Sequence, residues 1–305
     1  MKQQSTTTRS RGFAMTDALA LVAVSGVLAA LGLATSGQPG SLTGARQSAR
    51  QLKDSMHIRQ LMQSMITWSI NNKDQYPLPS VLDRRDKTVK AAAASKNHTA
   101  NIMSIMIWNG SISPLENNKN IEADADYTLA SPKAAAVPVD ALWDPAFSAD
   151  FTAKAAKGNV SYAHLQYAGG RKSRWANTFN SDEAVISNRG PEITAVGVHD
   201  ESTATPNYAD ANSKTFRFYS PAGAWSGNVG FNDSHVEFIK DHFRPGAKVT
   251  TGAFYLVKDK DTGKNKKLPD MSFFDEPDDA ASTNNYLGIF TTAGEKPAEY
   301  KAIWD

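Results

Sequence analysis

From residue 13 to residue 34 the chain is an almost unbroken apolar run, Phe-Ala-Met-Thr-Asp-Ala-Leu-Ala and onward, in which Asp17 is the one ionisable residue. Wound as a helix at about 1.5 Å per residue, such a run matches the roughly 30 Å hydrocarbon core of a bilayer. The cluster Thr-Ser-Gly-Gln-Pro-Gly-Ser at 35–41 interrupts it, and Pro39 disfavours helix at Gln38. A second helix is predicted over 43–73, where Leu52, Met56, Ile58, Leu61, Met62, Met65, Ile66 and Ile70 recur at spacings of three and four. Its basic beginning, 46–53, suits anionic headgroups, and Asn71 to Pro77 closes it.

Beyond Pro77 the pattern shortens. Residues 98–108 read as a helix with Ile102, Ile105 and Met106 on one face, while 111–160 keep no period and predict a loop-rich insertion with short strands, one at 139–143. Alternation over 158–167 predicts a strand turned at Gly169-Gly170, a second strand covers 183–187, and the polar stretch 199–213 predicts a mobile loop. Two hairpins follow. One joins β-rich runs around Asn232-Asp233-Ser234, and the other runs from Ala253–Val257 to Lys264–Leu268.

Composition narrows the function classes. Lys and Arg number 33 against 31 Asp and Glu, a balance that argues against nucleic-acid binding. There is no cysteine, which excludes disulfides and thiolate metal sites. Lys2, Arg9 and Arg11 precede the apolar run, so the positive-inside rule puts the N-terminus in the cytoplasm and the rest of the chain outside.

A basic leader ending in Arg11-Gly12, then Phe13, then an acid at the fifth following position and an apolar helix, resembles the type IV prepilins and type II secretion pseudopilins. The resemblance implies cleavage between Gly12 and Phe13 by prepilin peptidase, methylation of the new amine, and pairing of Asp17 with the Phe13 amine of a neighbouring subunit. Asp17 stands where that family usually has glutamate. The segment Trp225-Ser-Gly-Asn228-Val-Gly-Phe231-Asn-Asp233-Ser234-His235-Val236 is similar to a signature of bacterial prepilin-like proteins, with Ser234 in the place of glycine.

Other constellations carry alternatives. His235 and Glu237 on one strand face, with Asp233 and with His199, have the residue types of a metal site or a hydrolytic base; capping of the hairpin by Asp233 and packing of His235 is the plainer reading. Asp259 and Asp261 alternate like calcium-loop ligands, although Gly263 falls at the fifth position rather than the sixth. Asp275, Glu276, Asp278 and Asp279 form the second calcium candidate, since the resemblance places such a site in a C-terminal loop. A polar hairpin tip and a solvated acidic loop are the competing readings, and the six tryptophans form no stacking array.

The expected fold is therefore α+β and pilin-like: a long N-terminal helix, transmembrane then amphipathic, packed on an antiparallel sheet with a loop-rich insertion. Its segments are a leader at 1–12, a transmembrane helix at 13–35, a linker and helical spine at 36–76, and an extracytoplasmic head at 77–305. The expected role is a non-enzymatic subunit or minor component of a pilus or pseudopilus. Its partners are prepilin peptidase, other subunits and inner-membrane lipid, with no nucleic acid, and it needs no cofactor unless calcium fills an acidic loop. The expected location is single-pass in the inner membrane. The alternative is a membrane-anchored envelope protein that uses the prepilin export route and binds a ligand or partner with its head.

Overall fold

A computed structural model describes residues 39–83, 93–108, 162–219, 223–251, 253–259 and 261–304. The chain divides into two compact units, Met1–Ala49 and Arg50–Asp305. In order, the described elements are α1 (Pro39–Ile70), α2 (Pro79–Leu82), α3 (Thr99–Trp108), β1 (Tyr162–Leu165), β2 (Ala184–Asn188), β3 (Ile193–Val198), β4 (Thr203–Tyr208), β5 (Trp225–Phe231), β6 (Val236–Phe243), β7 (Val249–Thr250), β8 (Phe254–Lys258), β9 (Asn265–Pro269), β10 (Leu287–Thr292) and β11 (Lys301–Ile303).

The second helix, predicted from residue 43, is α1 and has Pro39 as its first residue. A first-turn proline loses nothing, because its missing N–H would have no intrahelical partner there. Within the second unit, Ile58, Leu61, Met62 and Met65 of α1 are buried in the main core with Ile102, Met103 and Met106 of α3. The core's other wall is a six-stranded antiparallel sheet in the order β11-β10-β1-β2-β5-β6. Gly230 of β5 lets helix and sheet approach closely: a Cβ there would lie 2.9 Å from both Ile58 and Met62. Trp225, Phe243 and Phe273 form an aromatic cluster against the same core, with Trp225 Nε1 donating to the Arg189 carbonyl at 2.9 Å. Trp175 is also buried and donates to the Pro77 carbonyl, fixing the chain where it leaves α1.

The expected fold class does not stand. The described residues form eleven short strands in three separate antiparallel sheets, beside few helices. No helix among the described residues is long and apolar enough to cross a membrane. The reason for α1 is plain in its sequence: Arg46, Arg50, Lys53, Asp54 and Arg59 interrupt its apolar positions. The single-pass inner-membrane location, and the transmembrane pilin-like description with it, are therefore not supported. The predicted span 13–35, like the insertion 111–160 with its strand at 139–143, lies outside the described residues.

A second correction concerns the predicted loop at 199–213. Residues Thr203–Tyr208 are β4, paired antiparallel with β3 and with the short β7. Pro206 hid this strand, but it faces Val196 of β3 and lies beyond the β7 pairing, which covers only Thr203 and Ala204. A proline is tolerated there because no ladder bond is asked of its nitrogen on that side. Asp200 makes the tight turn, accepting hydrogen bonds from the Ser202 amide and from the Ser202 and Thr203 hydroxyls.

Candidate functional site

The hairpin of β5 and β6 carries the Asn228–Val236 signature, and most of its polar side chains are already engaged. Asn228 faces α1: its Nδ2 donates to Asp54 Oδ2 at 3.1 Å and to the Gln51 carbonyl at 3.2 Å, while its Oδ1 accepts from Gln51 Nε2 at 2.9 Å. Asp54 is fully buried and also accepts from the Tyr162 hydroxyl at 2.7 Å and from Asn188 Nδ2 at 2.5 Å. Burial pushes the Asp54 carboxyl upward, and hydrogen bonds from Tyr162, Asn188 and Asn228 oppose that shift. This knot joins one helix to three neighbouring strands of the large sheet.

The turn has a physical logic of its own. The Ser234 amide donates to the Phe231 carbonyl, and Ser234 itself sits at φ 70°. A turn closed in this way with a left-handed residue after it is the three-residue hairpin form that favours glycine. Ser234 thus occupies a glycine position at some cost. Asp233 Oδ1 accepts from the His235 amide at 3.1 Å and from His235 Nδ1 at 2.5 Å, and the imidazole stacks on Phe231 with centroids 4.4 Å apart. Asp233 and His235 therefore do come together, with the ring partly exposed. His199 lies in the turn between β3 and β4, where its Nε2 bonds Thr205 Oγ1 at 2.9 Å. No group of three metal-ligating side chains is assembled among the described residues.

The calcium candidates are placed apart and mostly occupied. Asp259 Oδ1 accepts from the Asp261 and Thr262 amides and the Thr262 hydroxyl, so it caps the β8–β9 turn, with Gly263 at φ 66°. Those bonds, first the one from the Thr262 amide, hold the Asp259 carboxyl below the usual range. Asp261 and Asp278 are exposed. Asp279 accepts from the Thr283 amide and, at 2.7 Å, from the Asn284 amide. Asp275 pairs at 2.5 Å with Arg171, a fully buried guanidinium that also donates to Gln166 and to Asn284.

Glu276 is the exception in this loop. It is buried, its Oε2 lies 3.5 Å from the Tyr255 hydroxyl, and its Oε1 has no hydrogen-bond partner. Burial, and then the nearby Asp270, push its carboxyl up to about 8. Asp270 is itself buried and accepts from the Ser272 and Asn285 amides.

Gly12, Phe13 and Asp17 lie outside the described residues. Asp54 and Arg171 were missed by pattern reading. Asp54 had a usable signal, since it falls four residues before Ile58 on the buried stripe; Arg171, inside Gly-Gly-Arg-Lys-Ser-Arg, reads as an exposed basic turn. No family model, no curated protein and no solved structure matches this chain.

Proposed function

We propose that the chain is a structural, non-catalytic subunit or minor component of a type IV pilus or type II secretion pseudopilus, processed by prepilin peptidase between Gly12 and Phe13. The observation that carries this reading is how the Asn228–His235 signature is spent. Asn228 stitches β5 to α1 through Asp54 and Gln51, and Asp233, His235 and Phe231 engage one another across the turn. Side chains used in this way fasten a scaffold. The leader pattern at 9–17 supplies the rest of the support: a Gly–Phe junction with a carboxylate five positions past the glycine.

In an assembled filament, Asp17 and the Phe13 amine of a neighbouring subunit form a pair that neither charge tolerates losing in a dry helical bundle. Asp17→Ala is expected to leave cleavage at Gly12 intact and to abolish or sharply reduce recovery of sheared filaments or cross-linked oligomers. Normal assembly of the alanine variant beside wild type would remove the basis for a filament subunit.

A further inference from the structure

The β8–β9 ribbon is a separate two-stranded sheet with two unlike faces. Tyr255 and Leu268 point inward and are buried, with Tyr255 reaching Glu276. The alternate residues Phe254 and Leu256 point outward, each 49% exposed. The register sets Leu256 opposite Lys267 and Lys258 opposite Asn265, so the outward face is apolar with cationic neighbours. Lys267 Nζ lies 4.1 Å from the Phe254 ring centroid, a cation–π contact that steadies both groups. Lys258, Lys264, Lys266 and Lys267 are all exposed. The turn's aspartates, Asp259 bonded into the turn and the exposed Asp261, lie beyond Lys258 at the ribbon's tip rather than beside Phe254 and Leu256.

We propose that this face docks on an anionic phospholipid surface, with Phe254 and Leu256 entering the headgroup region and the lysines pairing with lipid phosphates. Two observations select that occupant. The first is charge: the side chains framing the apolar pair are lysines, compact ammonium groups that suit a field of phosphates. The second is size. A stable protein partner needs about 800 Å² of buried surface on each side, and two half-exposed side chains on a two-stranded ribbon fall far short. Shallow interfacial insertion needs only a few apolar side chains backed by basic ones. The contact is peripheral, made by a hairpin lying on the surface.

The absence of cysteine makes a clean test available in the full-length chain. A single Leu256→Cys variant carrying an environment-sensitive NBD label is mixed with phosphatidylcholine vesicles, with and without phosphatidylglycerol. A control label is placed at Ser181→Cys, on an exposed loop. The expected result is a blue shift and a several-fold rise in emission from position 256. It should require phosphatidylglycerol, fall in high salt, and weaken when Lys258 and Lys267 are both changed to Gln, while the label at 181 stays silent. No response at 256, an equal response with neutral vesicles, or an equal response at 181 would overturn the proposal. A response at 256 that grows with protein concentration in the absence of vesicles would assign the face to a second copy of the chain, and would overturn it as well.

Discussion

Asp54 and Glu276 are both acids taken out of water, yet their neighbourhoods differ in one decisive respect. Around Asp54, a tyrosine hydroxyl and two asparagine amides converge on the two carboxylate oxygens. Around Glu276, only the Met271 backbone and the Tyr255 hydroxyl, 3.5 Å away, oppose the cost of burial, and Asp270 adds a second acid. A buried polar group is tolerable when its bonds are made and costly when they are not. The Asp54 knot therefore holds elements together, whereas Glu276 stays buried chiefly by keeping its proton.

The largest effect should come from breaking the satisfied site. Asp54→Ala removes the shared acceptor of Tyr162, Asn188 and Asn228 from the interior, with an expected loss of about 3–5 kcal/mol in urea unfolding. Asp54→Asn keeps an acceptor oxygen and should lose clearly less. Equal losses in the two variants would mean that packing, and not the hydrogen bonds, matters at this position.

His164 extends the comparison to a buried base. Its Nε2 meets Thr99 Oγ1 and its Nδ1 meets the Leu165 carbonyl, both at 2.8 Å, and burial lowers its pKa to about 4. A base whose folded value is depressed adds no penalty at neutral pH. Below its ordinary value of 6.5 the unfolded chain takes up the proton first, so stability falls as pH drops from 6.5 through 4, by about 3 kcal/mol in all. Unfolding midpoints measured across that window should show the loss, and His164→Gln should flatten it.

Glu276 has the opposite slope. Its folded value of about 8 lies above the ordinary 4.5, so the folded state keeps a proton that the unfolded chain releases. Its contribution is full below pH 4.5 and is lost as pH rises through 8. Glu276→Gln should remove that slope and exceed wild type at pH 8. A glutamine variant with an unchanged slope would show that Glu276 is not the titrating group.

The smallest effect concerns the turn beside the knot. Ser234→Gly relieves a left-handed serine and should gain about 0.5–1 kcal/mol. Gly246→Ala, at φ 72° with open space around it, should lose a similar amount. If both changes were silent, backbone strain would play no part at these turns.

Local features of this fold were legible and long-range ones were not. The apolar stripe of α1 and the two turns at Asn232–Ser234 and Asp259–Gly263 each rest on residues close together in the chain. The β3–β4 ribbon is hard to read because Pro206 and the polar stretch around it hide the alternation of β4. The fold class was misjudged for a related reason: pairings such as His164 with Gly288 join residues far apart, and no local period announces them. At the candidate site, the turn roles of Asp233 and Asp259 could be read from neighbours. Asp54 with Asn228, and Arg171 with Asp275, could not, because each meets its partner more than a hundred residues away.

The most direct test of the structural-subunit account is the intact mass and N-terminal fragmentation of the protein recovered from its native cells. The account predicts a chain that starts at Phe13 and bears a methylated amine. An N-terminus still at Met1, or a cut near Ala34, would contradict it.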